Sequence, residues 1–131
     1  MVRQIWGRLQ LLVCKGALTL INGAKAQATG LEDEVLNNIE LITPAGFAHR
    51  PTADSQAVMV FPNGDRSYGI AVIVGDSRYQ LELAEGGVGL HDPSGSYIRL
   101  NNDGKIELKP SSGAVLLDGN LIATGTITQG G

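Results

Sequence analysis

Cysteine and aromatic residues are scarce in this 131-residue chain. Its single cysteine, Cys14, excludes an intrachain disulfide and says little about compartment. One tryptophan, three tyrosines and two phenylalanines, 5% of the residues, are too few for a thick aromatic core. His49 and His91 lie far apart in sequence, and neither sits in an HxH or HExxH pattern or beside a cysteine pair. A zinc-type ligand set is therefore not expected, and both histidines read as loop or surface residues. No apolar run approaches the roughly 18 residues that a membrane-spanning helix needs. The opening MVRQIWGRLQLLVCKG is a poor secretory signal, because Arg3, Arg8 and Gln10 interrupt its apolar residues. Leu11 to Cys14 has the outline of a lipoprotein box, but Val13 stands where a small residue is needed. The expectation is a soluble chain without leader or anchor.

Acid is missing from residues 1–30, where Arg3, Arg8, Lys15 and Lys25 give a local charge of +4. Residues 31–85 reverse this, with nine acids against Arg50, Arg66 and Arg78. The whole chain carries −3, which argues against nucleic acid as a partner, since phosphates demand a basic surface.

Glycine, by contrast, is abundant at 18 residues, and four of them recur every nine positions: Gly86, Gly95, Gly104 and Gly113. Alternating apolar pairs lie between and after them: Val88 and Leu90, Ile98 and Leu100, Ile106 and Leu108, Val115 and Leu117. Asp92-Pro93-Ser94-Gly95, Asn101-Asn102-Asp103-Gly104 and Pro110-Ser111-Ser112-Gly113 supply turn chemistry at each break. Short strand, tight turn, short strand is the pattern of a β-solenoid or of stacked hairpins. Residues 86–131 hold only about a dozen medium-sized apolar side chains, too few to fold unaided. Other copies of the same segment are the expected cover.

Upstream, positions 2, 5, 6, 9, 12 and 13 form an apolar helical stripe that includes Trp6 and Leu9, with Gly16 as its expected stop. That helix either packs on its own domain or serves as a handle for a partner. Residues 17–83 read as short strands: Ala17–Ile21 and Ala24–Thr29 around Asn22-Gly23, then Leu36–Thr43, Ala57–Phe61, Tyr68–Val74 and Tyr79–Leu83. Phe47–Gln56 has no periodicity and reads as a loop. The predicted fold is all-β: a small antiparallel barrel over 16–85, preceded by a helical segment 1–15 and followed by the repeats 86–131.

Catalytic patterns are missing. No G-x-S-x-G nucleophile turn and no G-x-G-x-x-G phosphate loop occurs. Glu32-Asp33-Glu34 reads as a solvated acidic run, and Asp103-Gly104 as a turn, not a calcium loop. No cofactor, metal or catalytic residue is expected.

The order and spacing of several segments carry a resemblance. They are Gly46-Phe47 with Pro51 behind it, Val60-Phe61-Pro62-Asn63-Gly64-Asp65-Arg66 with Gly69, Asp76-Ser77-Arg78-Tyr79, and Leu83 through Asp92. Together they resemble the Mu-like assembly-protein-V family of phage baseplate spikes. The resemblance implies a homotrimer in the virion tail baseplate, with oligonucleotide-binding-type (OB-type) barrels above an intertwined trimeric β-helix that forms a membrane-piercing needle. It implies a non-enzymatic part that binds a baseplate hub at its N-terminal end, here through Arg3, Trp6, Arg8 and Leu9. Transient contact with the host outer membrane is also implied. The trimer core would then draw on Ile98, Leu100, Ile106, Leu108, Val115 and Leu117. Tyr68 and Gly87 stand where the family often has histidine and glutamate. Several members close the needle with iron-binding histidines, but this sequence has none after His91. The expectation is a metal-free end at which Leu121, Ile122 and Ile127 contact a separate capping protein. A spike of a bacterial contractile-injection or secretion device, and a β-solenoid polysaccharide-degrading enzyme, are the alternatives; the enzyme would need a longer solenoid than this.

Overall fold

The computed structural model describes residues 2–31 and 34–130, apart from the side chains of Arg8, Gln10 and Leu11. Glu32 and Asp33, two of the three residues in the expected acidic run, lie outside the described residues, as does the expected role of the Arg8 side chain. Two compact units divide the chain, Met1–Gln80 and Leu81–Gly131.

In the first unit, helix α1 (Val2–Leu12) runs without a break into strand β1 (Val13–Asn22). The helix therefore stops earlier than the expected Gly16. Val13 and Cys14 are claimed by pairing with Val60 and Met59 of β4 (Gln56–Val60), and Phe61 N donates to Leu12 O at 2.7 Å to fasten the junction. A β-branched residue followed by a buried one favours the sheet there over another helical turn. The barrel is completed by β2 (Lys25–Thr29), β3 (Val35–Leu41) and β5 (Gly69–Gly75). Its strand order is β1-β2-β3-β5-β4, closing back on β1. Every pairing is antiparallel except β3 with β5, where Ile39, Glu40 and Leu41 run parallel to Gly69, Ile70 and Ala71. The expectation of a wholly antiparallel barrel fails at that pair. The chain between β3 and β5 must cross to build β4 first, and so it re-enters beside β3 in the same direction.

The core is narrow, with alanines and a cysteine packed around a few larger side chains. Cys14, Leu18, Ala26, Ala28, Leu36, Ile39, Ala57, Met59, Phe61 and Ala71 are buried. Two glycines let the walls close on the larger of these. A Cβ at Gly16 would lie 2.0 Å from Thr29 O and 2.8 Å from Met59 Cε, and one at Gly69 would lie 2.6 Å from the Phe61 ring. The motif Phe61–Arg66 closes the barrel at this point. Pro62–Gly64 forms a single 3-10 turn with Asn63 at φ 57°. Asp65 Oδ1 accepts from Ser67 N at 2.9 Å, and Arg66 folds back with its guanidinium 4.0 Å from the Phe61 ring centre. Arg66 Nη2 also donates to Glu34 Oε1 at 2.5 Å, and this hydrogen bond is the main reason the Glu34 carboxyl titrates below its ordinary range.

A second lock ties the loop before β4 to the end of β5. Asp76 Oδ2 accepts from Thr52 Oγ1 at 2.6 Å and from Arg78 Nη2 at 2.6 Å, while Arg78 Nη2 reaches Ala53 O at 2.8 Å. Arg78 first, then Thr52, hold the Asp76 carboxyl well below the usual carboxylate range.

In the second unit, β6 (Val88–His91), β7 (Tyr97–Leu100) and β8 (Ile106–Lys109) form an antiparallel meander in that order. Of the two architectures the repeats suggested, the single chain builds stacked hairpins. Gly95 and Gly104, at φ 96° and 80°, occupy the turns. The turns also stack on those two strands away: Asn101 Oδ1 accepts from Ala84 N at 2.9 Å, and Ser96 Oγ accepts from Ser111 N at 2.9 Å. No strand forms over Tyr79–Leu83, contrary to expectation. Leu81 and Leu83 instead pack over Gly89, where a Cβ would meet Leu81 Cδ2 at 2.3 Å, and Glu82 O accepts from Arg99 Nη1 at 3.2 Å.

Two tests follow from the barrel. Gly16→Ala should lower stability by about 3 kcal/mol, because its clash is with backbone, whereas Gly7→Ala in the open helix should raise it by about 0.5–1 kcal/mol. Denaturant titration of both variants reads the pair. Thermal melts against pH read the second lock. Asp76 binds its proton more weakly folded than unfolded, so its contribution is complete above the ordinary carboxylate pKa of about 4 and is lost progressively below it. Asp76→Asn should lower the melting temperature at neutral pH and flatten the acid limb of that curve.

Candidate functional site

Antiparallel register decides which side chains share a face. In the meander, Val88 pairs with Leu100 and Leu100 with Ile106, while Leu90 pairs with Ile98 and Ile98 with Leu108. Directly paired residues lie on the same side of a sheet, as do residues two apart along a strand. One face is therefore made of Val88, Leu90, Ile98, Leu100, Ile106 and Leu108, all aliphatic. Every one is exposed, from 38% at Ile98 to 72% at Ile106.

The opposite face is chemically finished. It carries Gly89, His91, Tyr97, Arg99, Glu107 and Lys109. Arg99 Nη2 donates to Glu107 Oε2 at 2.9 Å, and Tyr97 Oη donates to Glu107 Oε1 at 3.0 Å. The Arg99 guanidinium lies 4.6 Å from the Tyr97 ring centre. Arg99, then Tyr97, lower the Glu107 carboxyl below its ordinary range. Such a face suits water. The aliphatic face does not. Covering six half-exposed aliphatic side chains is worth about 5–10 kcal/mol per chain before ordering costs.

Of the residues expected in a trimer core, Ile98, Leu100, Ile106 and Leu108 are thus brought onto one face. Val88 and Leu90 complete it, and the same alternation in the first repeat marks them. Val115 borders an open depression with Leu90, Ile98 and Leu108, whereas Leu117 lies outside any strand and is 55% exposed. Leu121, Ile122 and Ile127 also lie outside strands, at 70%, 86% and 73% exposure.

The other expected surface is on α1. Val2, Ile5, Trp6 and Leu9 recur at helical spacing, and each is more than half exposed. Arg3 is exposed beside them. The stripe that either packs on its own domain or faces a partner is therefore open in the single chain. Among the described residues, no three His, Cys, Asp or Glu side chains are placed to hold a metal ion. The titratable groups with shifted pKa are accounted for by the structural pairs described above and by similar local contacts. Two of these are the Tyr68 hydroxyl donating to Glu40 and the Asp92 carboxylate accepting from Ser94. The chemistry these surfaces offer is apolar association.

Comparison with known proteins places that observation. Residues 22–78 match the family model described as Bacteriophage Mu Gp45, N-terminal. The baseplate puncturing device gp45 of Escherichia phage Mu is 31% identical over 103 residues, which cover 75% of this chain and 52% of that protein. Both matches support a Mu-like baseplate spike family. The chain spans about half the length of the Mu relative. The span matched by the family model runs from the end of β1 to Arg78, and so takes in β2 to β5, the Phe61–Arg66 closure and the Asp76–Arg78 lock. The segments that carried the sequence resemblance over 60–78 thus supply the turn after β4 and the contacts that tie the loop before β4 to the end of β5.

Trp6 is the chain's one tryptophan and reports directly on the open stripe. Its fluorescence should be readily quenched by acrylamide in the isolated protein. A shielded, blue-shifted emission would show the stripe packed against protein already.

Proposed function

We propose that this protein is a structural, non-enzymatic central spike of a contractile phage tail baseplate, working as a homotrimer in the virion. The single observation that carries the reading is the six-residue aliphatic face, exposed from end to end and backed by a face whose polar groups are already paired. Three copies facing a shared axis cover that face with identical surfaces and remove the free edges of each short sheet. A rod closed in this way has few loops and no hinge, which suits transmission of force along its length. The name of the Mu relative, a baseplate puncturing device, supports the same role, with transient contact at the host envelope.

The barrel fits an OB-type platform, supported by its closed five-strand order and its one parallel pair, β3 with β5. The acid-free first 30 residues and the open helix stripe support attachment to a baseplate hub with an apolar, acidic groove, through Arg3, Trp6, Arg8 and Leu9. The reading requires neither nucleic acid nor a cofactor.

Ile106→Asp tests it, because Ile106, on the outer strand β8, is the most exposed of the six. A carboxylate there costs little in a solvated single chain but several kcal/mol in each copy of a dry interface. The variant should keep the barrel's circular dichroism and elute as a monomer in gel filtration, where the parent elutes as a trimer. An unchanged elution volume for variant and parent would contradict the reading.

A further inference from the structure

Strand β3 departs from simple alternation. In Val35–Leu41 the buried residues are Leu36 and Ile39, and Asn37 and Asn38 between them are both exposed. A bulge is the cause. Ala26 pairs with Ile39 and Ala28 with Leu36, so Gln27 alone faces two residues of β3. Bulges re-aim side chains, and this one turns both asparagines outward on one wall of the barrel. A strand face that only meets water needs every second residue polar. Here a regular pair is given up and two adjacent amides are presented together.

Contacts between strands then fix those amides. Gln27 Nε2 donates to Asn37 Oδ1 at 2.6 Å. Lys25 Nζ donates to Asn38 Oδ1 at 3.2 Å, and Asn38 Nδ2 donates to Ser67 O at 3.3 Å. Tyr68 completes the group: its hydroxyl donates to Glu40, and Lys25 Nζ lies 5.8 Å from its ring centre. The amides are held in place without being used up. Each offers two N–H donors and a carbonyl oxygen with two lone pairs. Among the described residues, nothing bonds the Asn37 NH2 group, and Gln27 and Asn38 each keep one N–H open.

The chemistry of this wall selects its partner. Lys25 and Glu40 cancel in charge, so a phosphate chain gains little there. The barrel is closed and offers no free strand edge to which an extended peptide could add. Fixed, uncharged donors and acceptors beside an aromatic ring match a neutral sugar. Its neighbouring hydroxyls each give and accept a hydrogen bond, and the C–H face of its ring rests on an aromatic one.

We propose that the outer wall of β2 and β3 binds a neutral polysaccharide chain, with Gln27, Asn37 and Asn38 meeting sugar hydroxyls and Tyr68 supporting a sugar ring. This adds a ligand to the structural role proposed above, and it stands on the barrel alone.

Nuclear magnetic resonance of the unmodified protein reads the wall directly. The neutral probes are maltohexaose and chitohexaose, and a galacturonic acid hexamer is the charged control. Side-chain N–H signals of Gln27, Asn37 and Asn38 should shift saturably with at least one neutral probe, while those of Asn101 and Asn102 in the second unit stay in place. Asn37→Ala and Tyr68→Ala should each weaken binding by about three- to tenfold. Tyr68→Phe, which keeps the ring, should stay within about twofold of the parent. Wall amides unmoved by both neutral probes, larger shifts with the charged hexamer, or binding unaltered in both alanine variants would each overturn the proposal. None of these outcomes bears on the native mass, which tests the spike reading separately.

Discussion

A three-stranded sheet of four-residue strands, aliphatic on one side and polar on the other, cannot leave its aliphatic side in water. That constraint organises the rest. Val88, Leu90, Ile98, Leu100, Ile106 and Leu108 gain nothing from the polar groups behind them, which are occupied with each other. The second unit holds 51 residues and buries no large aliphatic side chain fully, so its own contacts fall short of the conformational entropy lost on ordering. In the proposed trimer, a repeat of identical surfaces around one axis would remove the shortfall, because the same six side chains become both the surface to be covered and the cover.

The barrel stands on different terms. Its core is closed by alanines, by Phe61 under the Arg66 guanidinium, and by two glycines where any Cβ would collide with a wall. Tight, small-residue packing of this kind makes a rigid body, and the Asp76–Arg78–Thr52 contacts extend that rigidity to the loop before β4. Arg66 is the clearest case of charge used for packing: its flat guanidinium covers an aromatic face while its edge satisfies Glu34.

Legibility in the sequence followed the locality of the signal. All five barrel strands were readable from alternation and turn residues, and the nine-residue glycine period located the meander turn by turn. The parallel β3–β5 pair was not readable, since it depends on where a distant crossover returns. The helix end was misplaced because Gly16 looks like a stop, whereas its true role is to let β1 pass under Thr29. Tyr79–Leu83 alternates like a strand but pairs with none, and Leu81 and Leu83 fill the space left by Gly89. Alternation marked all six residues of the apolar face, but only Ile98, Leu100, Ile106 and Leu108 of them were expected in a shared core; that Val88 and Leu90 join them depended on register.

The central claim is that copies of this chain cover one another's aliphatic faces, and the native mass of the unmodified protein tests it most directly. Multi-angle light scattering at micromolar concentration should give the mass of three 13.7 kDa chains, without a concentration-dependent shift towards one. A monodisperse single chain that retains its full β-sheet signal would contradict the account.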